Sequence, residues 1–235
     1  MSRYPNESKI LLAVDCIIFG FDGNRLKILL VQRALEPEIG QWSLMGGFVK
    51  DNETIQQAAQ RVLLTRTGLS NVYLEELSTF SDPARDPVER TVSVAFFALI
   101  DINKYKKQIT DDFHAEWFDI NKHPKLIFDH KQMVEKAKAR LRYKAAFHPI
   151  LFELLPSKFT LPQLKNLYEE VYDIEMDNRN FSRKILSMNL LEKLNEKDKE
   201  NSKRGAWYYK MNSKKYKANF HAVATIIPNP DIYYS

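Results

Sequence analysis

Gly46-Gly47-Phe48-Val49-Lys50-Asp51-Asn52-Glu53 and, seven residues on, Arg61-Val62-Leu63-Leu64-Thr65-Arg66-Thr67-Gly68-Leu69 bring together paired glycines, a lone glutamate and an amphipathic run closed by a further glycine. Ile55, Ala58, Ala59, Val62 and Leu63 recur at helical spacing, so a helix is predicted over about 54–67, and Gly68 suits its C-terminal end. Positions 62, 65 and 66 stand i, i+3, i+4 apart and share one face of that helix. Carboxylates there would converge on Mg²⁺, a hard cation that takes oxygen ligands and bridges phosphate oxygens. This chain instead places a methyl pair, a hydroxyl and a guanidinium on that face. Arg66 adds positive charge where a metal would sit, and Glu53 alone makes a poor Mg²⁺ site. Asp111, Asp112 and Glu116 lie downstream at a spacing that does not require them as ligands. No metal and no cofactor are expected.

Around this stretch the chain reads as α+β. Strand signals occupy Leu11–Phe19, Leu26–Gln32, Val72–Leu77 and Val92–Leu99, with Asp22-Gly23-Asn24 as a turn before the second. The two prolines of Asp82-Pro83-Ala84-Arg85-Asp86-Pro87 mark a loop. Trp117–Ile120 reads as a short edge element, and Asp129 to about Tyr143 as a helix with Met133, Val134, Ala137 and Leu141 on its apolar side. The single Cys16 lies in an apolar strand, where a buried thiol is expected and no intrachain disulfide can form. The polar N-terminus lacks a signal-peptide core, and apolar runs such as Val92–Ile100 are too short to span a bilayer. A cytoplasmic protein without membrane contact is expected.

Gly47, Glu53, Arg61, Leu63, Gly68 and Leu69 fit the Nudix box, whose pattern places glutamates where this chain has Val62, Thr65 and Arg66. Lys27–Arg33, Gly40-Gln41-Trp42-Ser43-Leu44 and Phe128-Asp129-His130 also stand at that family's spacing, although Met45 replaces the proline usual before the glycine pair. The chain therefore resembles the Nudix fold, a mixed sheet between helices, over residues 8–143. The missing carboxylates argue against metal-dependent diphosphate hydrolysis.

The C-terminal part reads as a second domain. Ala145–Leu155 is predicted as an apolar helix interrupted at, or starting near, Pro149. A second helix follows Thr160, which can cap it, with Pro162 in its first turn and Leu164, Leu167, Tyr168 and Val171 facing inward. A third runs from about Asn178 to Met188, and Leu190–Leu194 with Ala206–Met211 form a hairpin around a charged turn. This order is that of a winged helix-turn-helix. The charge agrees: the chain carries +5 overall, yet residues 178–217 hold 12 Lys and Arg against 4 Asp and Glu. Such asymmetry points to an anionic partner. Phe181, Ile185 and Met188 face inward, leaving Arg179, Asn180, Ser182, Arg183 and Lys184 to read base edges in a major groove. Thr160, Gln163 and Lys165 would fix the backbone register, and Lys203 and Arg204, with Lys197 and Lys199, would meet phosphates or a minor groove.

As a whole the chain resembles the Nudix-related transcriptional regulators, through segments such as Phe159-Thr160-Leu161, Leu167-Tyr168-Glu169 and Arg179-Asn180-Phe181. The resemblance implies a flexible arm over 1–7, a Nudix-like effector domain over 8–143, a winged helix-turn-helix over 144–225 and a tail over 226–235. It also implies a homodimeric repressor on palindromic double-stranded operator DNA, released by a small effector. One branch of the family answers to ADP-ribose and controls NAD metabolism; another answers to L-arabinose and controls sugar utilisation. For ADP-ribose, Arg33, Arg61, Arg66, Arg85 and Arg90 offer charge, and Trp42, Phe48 and Phe80 offer stacking surfaces. For a monosaccharide, Asp15, Ser43, Asp82, Arg85 and Asp86 offer polar groups against Trp42 or Phe21. Plainer roles stay open: Arg61 paired with Glu53, Trp42 in the core, the Asp-Pro loop a mere turn. The similarity to the arabinose branch, and the lack of a metal to bridge a diphosphate, favour L-arabinose. A hydrolase of ADP-ribose or of a sugar nucleotide is the rival from another class.

Overall fold

The computed structural model describes residues 7–34, 36–109, 114–199, 205–212 and 214. Most of the expected arm, the 226–235 tail, Asp111, Asp112, Lys203 and Arg204 lie outside the described residues.

The first unit is built on β1 (Leu11–Phe21), a strand buried on both faces. It pairs in parallel with β6 (Thr91–Asp101), from Leu11 opposite Thr91 to Phe21 opposite Asp101. Its other edge is shared. Ala13–Cys16 pair antiparallel with β4 (Met45–Phe48), whereas Ile18–Phe21 pair with β2 (Leu26–Gln32). The sheet is completed by β3 (Trp42–Ser43) and β7 (Ala115–Asp119) on β2, and by β5 (Glu75–Phe80) on β6. The strand predicted at Val72–Leu77 thus begins three residues later, and Val72 is a buried loop residue.

Alternation along β1 assigns its two faces, as the period of two requires. Val14, Cys16 and Ile18 pack against α1 (Ile55–Thr67), while Ile17, Phe19 and Phe21 face α3 (His130–Phe147). A four-residue helix, α2 (Ile102–Tyr105), follows β6. Cys16 donates to the Ala59 carbonyl at 3.6 Å, and burial pushes its thiol pKa far upward, so it is an inert core group.

The helix expected over 145–155 is divided. The α3 helix runs to Phe147, past the expected domain division at 143/144, and stops at His148, which is extended because it precedes Pro149. Pro149 then opens a 3-10 turn, Ile150–Leu154, whose Leu151 and Leu154 are buried. Beyond it come β8 (Phe159–Thr160), α4 (Leu161–Tyr172), α5 (Asn178–Ser187), β9 (Leu191–Asp198) and β10 (Ala206–Met211). The three strands pair in the order β8-β10-β9, and β9 reaches further than the predicted Leu190–Leu194.

These helices and the first sheet share one hydrophobic core, which includes Phe19 and Leu30 as well as Leu164, Tyr168 and Phe181. Polar bonds reinforce it. Arg142 Nε donates to the Val171 carbonyl at 2.7 Å, and the Tyr172 hydroxyl donates to the Arg142 carbonyl at 2.8 Å. Glu170 accepts from Arg25 at 2.9 Å and from the Leu26 amide at 3.1 Å. Chain reversal after α4 uses Asp173 in the left-handed region, with the Met176 amide donating to the Glu169 carboxylate.

Candidate functional site

Gly46 and Gly47 stand beside a cavity of about 420 Å³, within the roughly 300–1,000 Å³ usual for small-molecule sites. Its walls come from separate elements: Asp15 on β1, Arg33 after β2, Ser43 on β3, Arg61, Thr65 and Arg66 on α1, Arg85 and Asp86 before β6, and Phe128 and His130 at the start of α3.

The helix supplying the box face is set by local chemistry. Thr54 accepts from the Gln57 amide and Gln57 accepts from the Thr54 amide, a reciprocal capping box, and Gly68 ends the helix at φ 74°. Val62 is buried, and a Cβ added to Gly47 would stand 2.7 Å from its Cγ2. Thr65 turns its hydroxyl back to the Arg61 and Val62 carbonyls. The retained Glu53 is held by Arg61 through Nε at 2.8 Å and through Nη2. That guanidinium holds the Glu53 carboxyl at about 2, well below its ordinary value. Among the described residues no cluster of three His, Cys, Asp or Glu could hold a metal ion. On the box face itself, Val62, Thr65 and Arg66 offer no carboxylate and Glu53 is held by Arg61, so these residues do not fit the divalent cation that the Nudix resemblance implies.

A buried ionic cluster forms the opposite wall. Arg85 makes a bidentate pair with Asp129, both bonds 2.9 Å, and lies 3.6 Å from Asp15. Asp15 also accepts from Ser93 at 2.6 Å, and its Oδ1 is 3.6 Å from His130 Nε2. Pairing with β4 sets Asp15 opposite Gly46, where a Cβ would stand 2.5 Å from the carboxylate oxygen. Only glycine leaves room. The Leu44 amide donates to His130 Nδ1 at 3.1 Å, which makes that nitrogen an acceptor and puts the proton of the neutral ring on Nε2. Burial pushes the His130 pKa down and, with Arg85 and Arg33, outweighs the upward pull of Asp15 and Asp129.

Of the residues expected to bind an effector, Asp15, Ser43, Arg85 and Asp86 line this cavity, and two do not. Trp42 packs edge-on against Phe118, centroids 4.7 Å apart, because β3 turns its ring into the core. Asp82 accepts from the Ala84 amide at 2.8 Å and serves the loop turn. Arg90 is likewise bound to the Ser81, Asp82 and Thr91 carbonyls, and Phe80 packs in the core beneath Lys136. The aromatic walls are Phe48 and Phe128, and Arg33 lies over the Phe128 ring at 5.3 Å. Phe128 and His130 carry only a fold signal in the sequence, since nothing local ties them to a box some 80 residues earlier.

The second candidate surface is α5. Asp177 caps it by accepting from the Asn180 amide at 2.8 Å. Phe181 and Ile185 are buried, with Phe181 5.6 Å from the Tyr168 ring. Arg179, Asn180, Arg183 and Lys184 are exposed and Ser182 is half-buried; Arg183 donates to Asn180 at 3.0 Å. On the hairpin, Lys193 and Lys197 flank Trp207 at 4.0 and 4.5 Å, and Lys199 is exposed.

The start of α4 is capped by Thr160, as the sequence suggests. Thr160 is buried and forms a capping box with Gln163, while Lys165 pairs with Glu169 at 2.6 Å. Gln163 lies close to the Gly23 turn, and Lys165 lines a groove with Arg25. Among the described residues no helix is long and apolar enough to cross a membrane.

Comparison with known proteins agrees with this architecture. A family model for the NUDIX domain matches residues 9–137, and one for the NrtR DNA-binding winged helix domain matches residues 151–211. The chain is 34% identical over 223 residues to the ADPR responsive transcriptional repressor NtrR of Acinetobacter baylyi, covering 93% of this chain and 88% of that protein. The crystal structure of Shewanella oneidensis NrtR complexed with a 27mer DNA matches with a TM-score of 0.74 at 30% identity, over 88% of this chain and 95% of that one. The NUDIX domain of the same Shewanella protein, complexed with ADP ribose, matches with a TM-score of 0.50 at 31% identity, over 60% of this chain and 99% of that one. With a Nudix domain joined to a winged helix of this type along nearly its whole length, the chain belongs to the NrtR-type Nudix-related transcriptional regulators.

Proposed function

We propose that this protein is a cytoplasmic, ADP-ribose-responsive transcriptional repressor that binds operator DNA through α5 and the β9–β10 wing. The observation that carries the effector is the cavity at the box position, lined by Arg33, Arg61, Arg66 and Arg85 and walled by Phe48 and Phe128. Guanidinium groups suit the oxygens of a diphosphate, and the aromatic walls suit a base. This reading replaces the L-arabinose favoured from the sequence by its ADP-ribose alternative. A neutral pentose has no use for the charge of Arg66, which no described carboxylate balances; the Acinetobacter relative is named as ADPR responsive, and the matching Shewanella NUDIX domain is complexed with ADP ribose. With the box face lacking carboxylates, the ligand is sensed and not cleaved.

On α5 the exposed Arg179, Asn180 and Arg183 form the base-reading face, and two-fold symmetry in a homodimer would match a palindromic operator. Helix α3 provides the route between the sites. It begins with His130 in the cavity wall and carries Arg142, which is bonded to the last turn of α4. Effector binding shifts the protein toward the state that binds DNA poorly only through a difference in affinity between the two states.

The test is fluorescence anisotropy on a duplex enriched by selection against the full chain. ADP-ribose should release the duplex, whereas L-arabinose and Mg²⁺ should not. Unchanged DNA affinity at saturating ADP-ribose would sink the proposal, and steady Mg²⁺-dependent release of AMP would restore the hydrolase reading.

A further inference from the structure

The four cavity arginines are not equivalent. Arg61 is committed to Glu53 and the Phe48 carbonyl, and Arg85 to Asp129 and Asp15. Arg33 donates to the Pro37 carbonyl at 2.7 Å and to that of Glu36. Arg66 lines the cavity half-buried and has neither a hydrogen bond nor an ion pair among the described residues. Its neighbours on the same face are neutral and already satisfied, Val62 by packing on Gly47 and Thr65 by the helix carbonyls. Among the described residues no counter-charge faces this half-buried cation, so its donors are available to an anion in the cavity.

Resting on the ADP-ribose reading, we propose that Arg66 takes the place of the family's divalent cation. Its guanidinium binds the diphosphate oxygens directly, and ligand recognition needs no metal. Its position follows from helical geometry. Residue 66 lies one turn beyond Val62, on the face where a hydrolase would gather its metal ligands, so its charge is delivered to the same part of the cavity. The planar fork of arginine can bond two phosphate oxygens at once, which a hydrated metal ion would otherwise bridge.

The test is calorimetric titration of the full chain with ADP-ribose, in EDTA and in Mg²⁺, for the wild type, Arg66→Gln and Arg66→Lys. Inorganic pyrophosphate serves as a second probe. Glutamine and lysine resemble arginine in helix propensity, and an unchanged melting temperature verifies the fold of each variant. The expected result is the same wild-type affinity with and without Mg²⁺. Arg66→Gln should bind roughly tenfold to hundredfold more weakly, as loss of charge-assisted bonds implies, with partial recovery in Arg66→Lys. Loss of wild-type binding in EDTA, or an unaltered Arg66→Gln, overturns the inference while leaving the ADP-ribose reading intact. Pyrophosphate bound in EDTA and lost in Arg66→Gln, without any ADP-ribose binding, upholds the anion site and removes the nucleotide. If neither anion binds, both proposals fail.

Discussion

Replacing Asp129 by asparagine tests the ionic cluster between the cavity and α3. The Arg85 side chain is 4% exposed and that of Asp129 is 11% exposed, so their bidentate pair sits largely out of water. Removing one partner of a buried pair typically costs about 3–5 kcal/mol, because the other charge is left uncompensated. Two features reduce that here. Asparagine keeps one acceptor for the guanidinium, and Asp15 remains 3.6 Å from Arg85. A loss of about 2–3 kcal/mol is expected. At roughly 2.1 cal/mol/K of unfolding entropy per residue, 235 residues have about 0.5 kcal/mol/K, so Tm should fall by about 4–6 °C. The assay is urea unfolding with Arg85→Met and the double variant completing a cycle. Arg85→Met strands two carboxylates, so the double variant should be at least about 1 kcal/mol better than additive. Additivity within roughly 0.5 kcal/mol would refute the argument that these groups act as one cluster.

Two other expectations follow from the same geometry. The folded-state pKa of His130 is depressed by burial, so the unfolded chain binds more protons below about 6.5. Stability from this group is therefore complete above pH 6.5 and is lost as pH falls through the depressed value; His148, lowered by burial and Lys144, adds to the slope. Urea midpoints between pH 7.5 and 5.5 should drop less steeply for His130→Gln than for wild type, and equal slopes would exclude His130 as a contributor. On α5, Arg179→Ala and Arg183→Ala should each weaken binding to the selected duplex by roughly 1–3 kcal/mol if each contacts a base. Retained affinity and specificity in an anisotropy assay would show that α5 is not the reading helix.

Much of the fold was legible because its signals are local. Thr54 with Gln57 and Thr160 with Gln163 cap their helices within four residues, and β2 spans the predicted residues. The break at His148-Pro149 has the local cause expected of a proline, yet the division of 145–155 into a helix end and a 3-10 turn was not resolved by periodicity. The site was less legible. Trp42 carries the same aromatic signal as Phe48, and only β3's placement against Phe118 separates a core ring from a cavity wall. Lys165 carries the same charge as Arg183, but it pairs with Glu169 one turn along α4 and lines a groove with Arg25, whereas Arg183 is exposed.

From the sequence alone came the helix face at 62, 65 and 66, its lack of carboxylates, and the basic face of α5, since each depends on residues within a few turns of one another. Tertiary structure decided that positions 15, 85, 129 and 130 meet as one buried cluster, that Arg66 remains the unpartnered cation of that cavity among the described residues, and that α3 ties it to the winged helix. Periodicity records which face of an element is buried, but not what buries it. Charges brought into a low-dielectric interior become stable only when every partner is in place, so their pairing is a property of the assembled fold.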